Sequence, residues 1–268
     1  MAGSITNFAS TVLAVMGKEK EKHMDGPLSV AGKVLADGVR EKCLIVSVDA
    51  VPRYLTDERA ELFEKVRKYA PVTEEITTVM PSITPVCYGA MFSGATPDRN
   101  GLPCYVEPKV ENGIGRPSLS VTPFPQTLVN SGKKVAVVTC NNGCIKSMLW
   151  GREIDLFIID GDDDRKMAEK AYELLDSDYD LIFLYQLDYD YTQHKVTPRG
   201  EKAIEVLKNK TEVFARLCEK AVSVWKDKKY MLVFNSDHGC HETADGGGAH
   251  GEDIDDDMKI RYFFGWNK

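Results

Sequence analysis

Short apolar runs recur along the chain and alternate with longer segments that have helical periodicity. Such runs are typical of strands buried in a parallel sheet, and they lie at residues 43–49, 134–139, 156–159, 181–187 and 230–235. The segments between them have the apolar spacing of surface helices, most clearly at 57–69, 165–175 and 200–226. Helices that alternate with apolar strands predict an α/β fold, with a mostly parallel central sheet and helices on both of its faces.

The remaining segments complete what we interpret as one α/β domain over residues 1–268. Residues 1–40 are mostly helical in pattern, and short strands are predicted at 77–80 and 260–265. From 101 to 125 the chain carries five prolines and three glycines without clear periodicity. This composition predicts a loop-rich insertion that lines or covers a site.

A short helix is predicted to begin at Thr84-Pro85 and to end at Gly94. Threonine followed by proline is typical of an N-cap followed by the first helical position, and glycine is typical of a helix end. Thr84 is therefore expected at a helix N-terminus. Local sequence alone favours a capping role for it.

Composition and charge restrict the class of partner. A chain of 268 residues that is 43% hydrophobic can bury a sizeable core. Its formal net charge of -7 argues against nucleic acid or an anionic membrane as the main partner, because both select for basic surfaces. A small charged substrate is compatible with this charge, because a bound metal ion can invert the local sign.

Cysteine usage and the N-terminal segment indicate a location. The seven cysteines are scattered without a Cys-x-x-Cys pair, which is typical of reduced cytosolic thiols rather than of a disulfide framework. The apolar stretch from Ile5 to Met16 lacks a preceding positive cluster and is shorter than the ~20 residues that a membrane span needs. We therefore expect a cytoplasmic protein that does not bind a membrane. The oligomeric state is left open.

Acidic residues follow three of the predicted strands. Asp49 ends the first strand, Asp188 and Asp190 come at the end of the fourth, and Asp237 follows the fifth. The carboxyl ends of parallel strands meet at one edge of a sheet, where open α/β proteins keep their ligand sites. Unpaired carboxylates at the ends of buried strands are costly without a cation or hydrogen-bond donors. This edge is therefore predicted to hold a metal.

Three of the five histidines lie close to one of these aspartates in the sequence or within a glycine-rich segment. His194 follows Asp190 by four residues, His238 follows Asp237 directly, and His250 lies in a glycine-rich segment. An aspartate and a histidine at this spacing can reach one ion if they share a turn. Mixed oxygen and nitrogen ligation suits Zn²⁺, Mn²⁺ or Fe²⁺ better than Ca²⁺. Each histidine alone could be an ordinary buried residue, but together with the aspartates they indicate a metal site.

In this order, the motifs resemble the alkaline phosphatase superfamily, and most closely its type I phosphodiesterase/nucleotide pyrophosphatase branch. The resemblance extends from about residue 43 to the end of the chain. It is carried by Asp49, the segment 81–101 with Thr84, Asp190-x3-His194, Ser236-Asp237-His238-Gly239 and Gly248-Ala249-His250-Gly251. Several independent motifs in one order are far more specific than any one of them.

The resemblance implies an alkaline phosphatase-like fold and two divalent metal ions, with Zn²⁺ expected first and Mn²⁺ or Fe²⁺ as alternatives. The implied ligands of one ion are Asp190, His194 and His250. Those of the other are Asp49, Asp237, His238 and the hydroxyl of Thr84. Thr84 is also the implied nucleophile. The implied activity is hydrolysis of a small-molecule phosphoric ester, either a diester or a monoester, through a phospho-Thr84 intermediate.

Three positions depart from the pattern of the family. Cys87 stands where an asparagine is common three residues after the nucleophile. Gln193 replaces the glycine before the histidine of the second ligand motif, and Ala50 replaces the glycine after the first aspartate. None of these changes removes an implied ligand. A thiol is a weaker hydrogen-bond donor than an amide, so the contacts to the substrate are expected to differ.

Some assignments have competitors. Asp188 competes with Asp190, but the family's spacing to His194 favours Asp190 and leaves Asp188 on the opposite side of the strand or in a supporting position. His241 is equally compatible with a supporting or phosphate-contacting role and with the surface. Beside ester hydrolysis, a phosphomutase or a phosphonate-cleaving relative would use the same metal pair. A non-catalytic metal-binding protein is the third alternative, and Cys87 keeps it open.

Overall fold

Eight strands form the central sheet of the part of the chain that the computed structural model describes, residues 2–102, 118–141 and 143–268. Together with the two strands of a separate hairpin, the described strands are β1 (Gly3–Ser4), β2 (Lys42–Val48), β3 (Val72–Thr77), β4 (Val135–Cys140), β5 (Asp155–Ile159), β6 (Leu181–Gln186), β7 (Tyr230–Asn235), β8 (His241–Glu242), β9 (Gly248–Ala249) and β10 (Lys259–Trp266). The sheet has the order β1-β3-β10-β7-β2-β6-β4-β5, and β8 and β9 form a separate hairpin. Most of the predicted insertion at 101–125 lies outside the described residues.

Parallel pairing dominates the sheet. Every neighbouring pair is parallel except those of β10, which is antiparallel both to β7 and to β3. The central strands β2, β4, β6 and β7 are almost entirely buried, because their continuous apolar sequences face covered surfaces on both sides. The predicted mostly parallel α/β sheet is confirmed.

Helices cover both faces of this sheet. They are α1 (Asn7–Val15), α2 (Val30–Ala36), α3 (Arg53–Glu58), α4 (Glu64–Tyr69), α5 (Thr84–Ser93), α6 (Pro97–Asn100), α7 (Phe124–Asn130), α8 (Cys144–Leu149), α9 (Asp164–Leu174), α10 (Asp188–Val196), α11 (Glu201–Val224) and α12 (Asp255–Met258). α1 packs against α2, α5 and α7, whereas α11 packs against α4, α9 and α10. Strand β4 contacts α7 and α8 as well as α9, so the two helix groups lie on opposite faces. Among the described residues, no helix has both the length and the apolarity to span a bilayer.

Two predicted elements differ from the structure. The segment at 57–69 is not one helix but the end of α3, a 3-10 turn at Ala60–Phe63, and α4. The strand predicted at 77–80 lies earlier, as β3, where polar residues alternate with less exposed ones. The sequence misplaces β3 because this strand is only half buried, between the two-residue β1 and β10. A search for continuous apolar runs cannot find such a strand.

The strand expected at 181–187 ends at Gln186, and a helix that sequence reasoning missed, α10, begins at Asp188. The strand interpretation of Asp188 is therefore wrong. Residues two positions apart in an α-helix are separated by about 200° of rotation. The side chains of Asp188 and Asp190 therefore leave α10 in nearly opposite directions. The lone apolar residues of α10 give little helical periodicity, which explains why its sequence did not indicate a helix.

Candidate active site

The register of the central strands brings their carboxyl ends to one level. Val48 at the end of β2 is paired with Gln186 at the end of β6, and Ser47 is paired with Asn235 at the end of β7. The loops that follow are tied together, because the Val51 N–H donates to the Ser236 hydroxyl at 2.8 Å. The residues after these three strands therefore share one edge of the sheet, as the sequence predicts.

One group of candidate ligands at this edge consists of Asp49, Asp237 and His238, and all three residues are buried. The His238 Nε2 atom lies 3.4 Å from Asp49 Oδ1 and 3.3 Å from Asp237 Oδ2. One ligand atom from each residue lies within 4.8 Å of the others. This spacing allows all three side chains to contact one ion.

A second group consists of Asp190, His194 and His250. Asp190 and His194 are four residues apart on α10 and so share one face of this helix. The Asp190 Oδ1 atom lies 3.2 Å from His194 Nε2 and 3.5 Å from His250 Nε2. The His250 ring also stacks on the His238 ring, with centroids 4.1 Å apart, so the two groups are adjacent.

All three histidines are oriented in the same way. Their Nδ1 atoms lie close to backbone carbonyl oxygens: 2.8 Å from Gly248 for His194, 2.9 Å from Gly239 for His238 and 3.0 Å from Ser82 for His250. A ring that donates from Nδ1 leaves the Nε2 lone pair free, and this is the usual arrangement of a metal-binding histidine. In both groups, the free Nε2 atoms face the carboxylates.

The first group is electrostatically unfavourable without a cation. Burial raises the pKa of Asp237 from 3.8 to about 7. Burial also raises the pKa of Asp49 well above its usual range, and the charges of Asp237 and Asp190 add to this rise. Burial lowers the pKa of His238 to about 3, so this histidine supplies no compensating charge near neutral pH. Asp237 Oδ2 is buried and accepts no hydrogen bond from the described residues. These features fit a divalent cation.

The second group is compensated differently. Burial alone would raise the pKa of Asp190, but hydrogen bonds from His194 and His250 outweigh burial and hold this pKa below its usual range. The same hydrogen bond raises the pKa of His194. A metal ion bound here would replace these hydrogen bonds, and its binding would release any proton held by the two histidines.

Thr84 is the first residue of α5, and its hydroxyl faces the first group. The hydroxyl oxygen lies 3.2 Å from His238 Nε2 and 3.5 Å from Asp49 Oδ1. The N-cap position is occupied by Ile83, and no side-chain cap hydrogen bond is made at this helix start. The expectation that Thr84 itself is the cap is therefore wrong. Gly94 ends α5 with a positive φ of 65°, as predicted.

Two side chains support the candidate ligands: Tyr185, which the sequence interpretation did not single out, and Gln193, which it noted only as a departure from the family pattern. The hydroxyl of Tyr185, on β6, donates to Asp49 Oδ2, and this leaves Oδ1 directed towards His238 and Thr84. Gln193 donates from Nε2 to Asp190 Oδ1 at 2.9 Å. Tyr185 lies within an apolar run, where the one available signal is that a buried phenol requires a partner.

The remaining candidates have structural surroundings of their own. Cys87 is fully buried, and its sulfur accepts a hydrogen bond from the Thr78 hydroxyl at 3.1 Å. His241 Nδ1 lies 2.8 Å from Asp257 Oδ1, and the second oxygen of Asp257 accepts the Glu252 N–H at 3.0 Å. The pair therefore links the hairpin strand β8 to the loop after His250, which agrees with the supporting role considered for His241.

The mostly parallel sheet with helices on both faces matches the fold of alkaline phosphatase-like proteins, and the carboxylates and histidines lie at the edge where open α/β sheets bind ligands. The family model described as "Type I phosphodiesterase / nucleotide pyrophosphatase" matches residues 43–266. The chain belongs to this family. The family is one of metal-dependent enzymes that act on phosphoric esters. A search of curated proteins found no match.

Several solved structures share the fold. Phosphonoacetate hydrolase from Sinorhizobium meliloti, in complex with phosphonoformate, has a TM-score of 0.57 and 19% identity over 78% of this chain and 59% of its own. Murine ectonucleotide pyrophosphatase/phosphodiesterase 5 has a TM-score of 0.58 and 18% identity over 76% of this chain and 58% of its own. The periplasmic domain of the phosphoethanolamine transferase EptC from Campylobacter jejuni has a TM-score of 0.56 and 17% identity over 85% and 80%. The chain spans less than two thirds of the first two proteins.

Proposed function

We propose that this protein is a metal-dependent hydrolase of phosphoric esters in which Thr84 is the nucleophile. The observation that carries the proposal is the position of the Thr84 hydroxyl, 3.2 Å from His238 Nε2 at the start of α5 and beside two adjacent groups of candidate ligands. A side chain that caps its own helix would not face carboxylates and a histidine in this way. Thr84 is also partly exposed, so a substrate can reach it.

In this proposal, Asp190, His194 and His250 hold one divalent ion, and Asp49, Asp237 and His238 hold the other together with the Thr84 oxygen. The free Nε2 atoms, the unsatisfied Asp237 oxygen and the closely spaced carboxylates support this division. We expect Zn²⁺ first, because nitrogen ligands are as numerous as carboxylates; Mn²⁺ and Fe²⁺ are the alternatives. Bound ions would lower the pKa of the Thr84 hydroxyl and neutralise phosphoryl oxygens.

The proposed reaction has two displacements at phosphorus. The Thr84 oxygen forms a bond to phosphorus while the bond to the leaving oxygen breaks, which gives phospho-Thr84 and an alcohol after protonation of the leaving group. Water then attacks phospho-Thr84 and restores the hydroxyl. The N-terminus of the ten-residue helix α5 favours the negative charge that gathers at Thr84 in both steps.

The substrate class is a small phosphoric ester, and a phosphonate is the second candidate. The family supports the diester, whereas the phosphonoacetate hydrolase of similar fold supports the phosphonate. Cys87 stands where the family pattern has an asparagine. It is buried against Thr78 and donates nothing to the phosphoryl group. Fewer protein donors to the phosphoryl oxygens favour the diester, which carries one negative charge less than a monoester.

The test measures turnover of an aryl diester, the matching aryl monoester and phosphonoacetate, with chelated protein and after Zn²⁺ or Mn²⁺ is restored. We expect metal-dependent turnover with the diester preferred. Thr84→Ala should keep its metal and lose turnover, whereas the exposed control Thr73→Ala should keep both. An acid quench followed by mass spectrometry should detect an aryl phosphoryl group on the Thr84 peptide when the diester is the substrate, and a phosphoryl group when the monoester is the substrate. Full turnover by Thr84→Ala would refute the assignment of the nucleophile.

The location and organisation of the protein stay predictions. We propose a single α/β domain over residues 1–268 in a reducing, cytoplasmic setting. The six described cysteines are free thiols, which agrees with this setting. Cell fractionation with an antibody against the native chain tests the location, and limited proteolysis tests the domain assignment.

A further inference from the structure

A buried ion pair lies behind the second group of candidate ligands. Lys210, on α11, and Asp164, the first residue of α9, are each 2% exposed. The Lys210 Nζ atom lies 2.6 Å from Asp164 Oδ2 and 2.9 Å from Asp188 Oδ2. The pair therefore joins three helices at one point, and the third of them is α10.

The Asp164 carboxylate also receives the backbone of α10. Oδ1 accepts the Leu187 N–H at 3.0 Å, and Oδ2 accepts the N–H groups of Leu187 and Asp188 at 3.0 Å. These are the orphan donors of the helix start, and no side chain of α10 caps them. The Asp164 carbonyl in turn accepts the side-chain amide of Gln186, the last residue of β6. Asp164 thereby acts as an N-cap supplied by another helix.

The place where α10 begins decides where its ligands point. Asp188 is directed towards Lys210, and about 200° of helical rotation later Asp190 is directed towards the histidines. His194 follows one turn further on the same face as Asp190. A shift of the first turn of α10 would therefore displace two of the three candidate ligands in that group. The candidate ligands in the loops after β2 and β7 would not move with it.

Stability alone does not account for a buried pair at this place. Removing two charges from water is costly, and apolar replacements of buried pairs are often as stable or more stable. The other end of α9 is already tied to α11 by Lys220, which donates to the Tyr172 carbonyl of α9 at 2.7 Å. The Lys220 Nζ atom also lies 2.6 Å from Oδ2 of the exposed Asp176, just after α9. That second bridge does not touch α10 and provides a matched control.

We infer that Asp164 and Lys210 are positioning residues for the ion held by Asp190, His194 and His250. Lys210 holds the Asp164 carboxylate against the N–H groups of Leu187 and Asp188, and this contact sets the rotation of α10. The inference rests on the proposed function for the existence of that ion, but not for the hydrogen bonds that carry the argument.

The test follows the binding of two equivalents of Co²⁺ to the metal-free protein by visible absorption, in competition with a chelator. In Lys210→Met, we expect one equivalent to bind about 10- to 100-fold more weakly, as is typical when a partner of a metal ligand is removed. The other equivalent should bind as in the wild type. Lys220→Met should bind both equivalents normally. A double variant, Asp164→Ala with Lys210→Met, removes the uncompensated buried charge and should show the same selective loss if the single variant does not fold.

His194→Ala serves as the reference, because it removes a candidate ligand directly. If His194→Ala loses one equivalent while Lys210→Met binds both like the wild type, the positioning role is refuted and the metal assignment stands. Equal weakening of both equivalents in Lys210→Met would also refute it, because the pair would then act on the whole fold. If His194→Ala keeps both equivalents, the metal assignment itself fails. Selective loss in Lys210→Met and His194→Ala, with Lys220→Met unchanged, supports the inference.

Discussion

Replacing Asp237 by asparagine should make the metal-free protein more stable while it abolishes metal binding by the group of Asp49, Asp237 and His238. Asp237 is fully buried beside Asp49, and its Oδ2 atom accepts no hydrogen bond from the described part of the chain. Asparagine keeps the acceptor for the Ala50 N–H, which lies 3.3 Å from Oδ1. Its amide nitrogen would stand where Oδ2 lies 3.3 Å from His238 Nε2, and it would donate to that free lone pair. The substitution therefore removes the buried negative charge of Asp237 and gives His238 Nε2 a hydrogen-bond donor.

The magnitude follows from the pKa of Asp237, which burial raises from 3.8 to about 7. At about 1.4 kcal/mol for each pH unit, the ionised form costs the fold up to about 4 kcal/mol above pH 7. Relaxation and water entry reduce such penalties, so we expect a gain of about 2 kcal/mol in the free energy of unfolding. For a chain of this size, that gain raises Tm by about 4–8 °C.

The sign of the pH dependence is fixed by the direction of the pKa. The folded pKa lies above the unfolded one, so the penalty is absent below pH 3.8, grows as the pH rises towards 7, and is complete above pH 7. The advantage of Asp237→Asn in a chelator should therefore be large at pH 8 and almost absent at pH 4. Added Zn²⁺ should reverse the order at pH 8, because it stabilises the wild type through both groups of candidate ligands and the variant through only one.

Thermal unfolding by circular dichroism at both pH values, with chelator and with Zn²⁺, measures these differences. Asp227→Asn is the control, because Asp227 is exposed and its replacement removes the same charge. The reasoning is refuted if Asp237→Asn in chelator at pH 8 is no more stable than the wild type. It is also refuted if the gain persists unchanged at pH 4.

Three further expectations concern the same site. Tyr185→Phe removes the hydroxyl that donates to Asp49, so one metal equivalent should bind about 10- to 100-fold more weakly in a chelator competition; unchanged affinity would contradict the contact. Gly248→Ala should lower Tm and turnover together, because a Cβ there would lie 1.8 Å from Gln193 Oε1 and 2.9 Å from the Gln193 carbonyl; calorimetry and an ester assay measure both, and Gly246→Ala is unsuitable as a control because its φ is 84°. Metal affinity should fall as the pH is lowered from 8 to 6, because binding displaces protons from the ligands; calorimetric titration in two buffers of different ionisation enthalpy should show proton release.

The sequence predicts the sheet and the residues at its edge better than it predicts how they are held there. The apolar runs locate β2, β6 and β7, and the aspartates after them meet as strand parallelism requires. The two groups of candidate ligands contain the residues that the motif order implied. Their role as metal ligands, and that of Thr84 as nucleophile, stay predictions.

The supporting residues could not be predicted, because their effect depends on contacts between segments far apart in the chain. Lys210 reads as one charged residue in a long amphipathic helix, yet α11 buries it against Asp164. Asp188 reads as the end of a strand, yet its N–H is bonded to Asp164 and starts a helix. Patterns of hydrophobicity indicate which face of an element is covered, but they do not indicate which polar group of another element contacts that face.

Strand β10 has a consequence for the order in which the protein assembles. It is inserted between β7 and β3, so it alone among the described strands joins β1 and β3 to the rest of the sheet. The candidate ligands follow β2, β6 and β7, which are neighbours on one side of β10. Thr84 follows β3, which lies on the other side of β10. On the ribosome, β3 can pair with β1 as soon as both have emerged, but these two strands can join β7 only after residues 259–266 of β10 emerge. The edge strands β1 and β3 would therefore join the sheet after the strands that carry the candidate ligands have paired with one another.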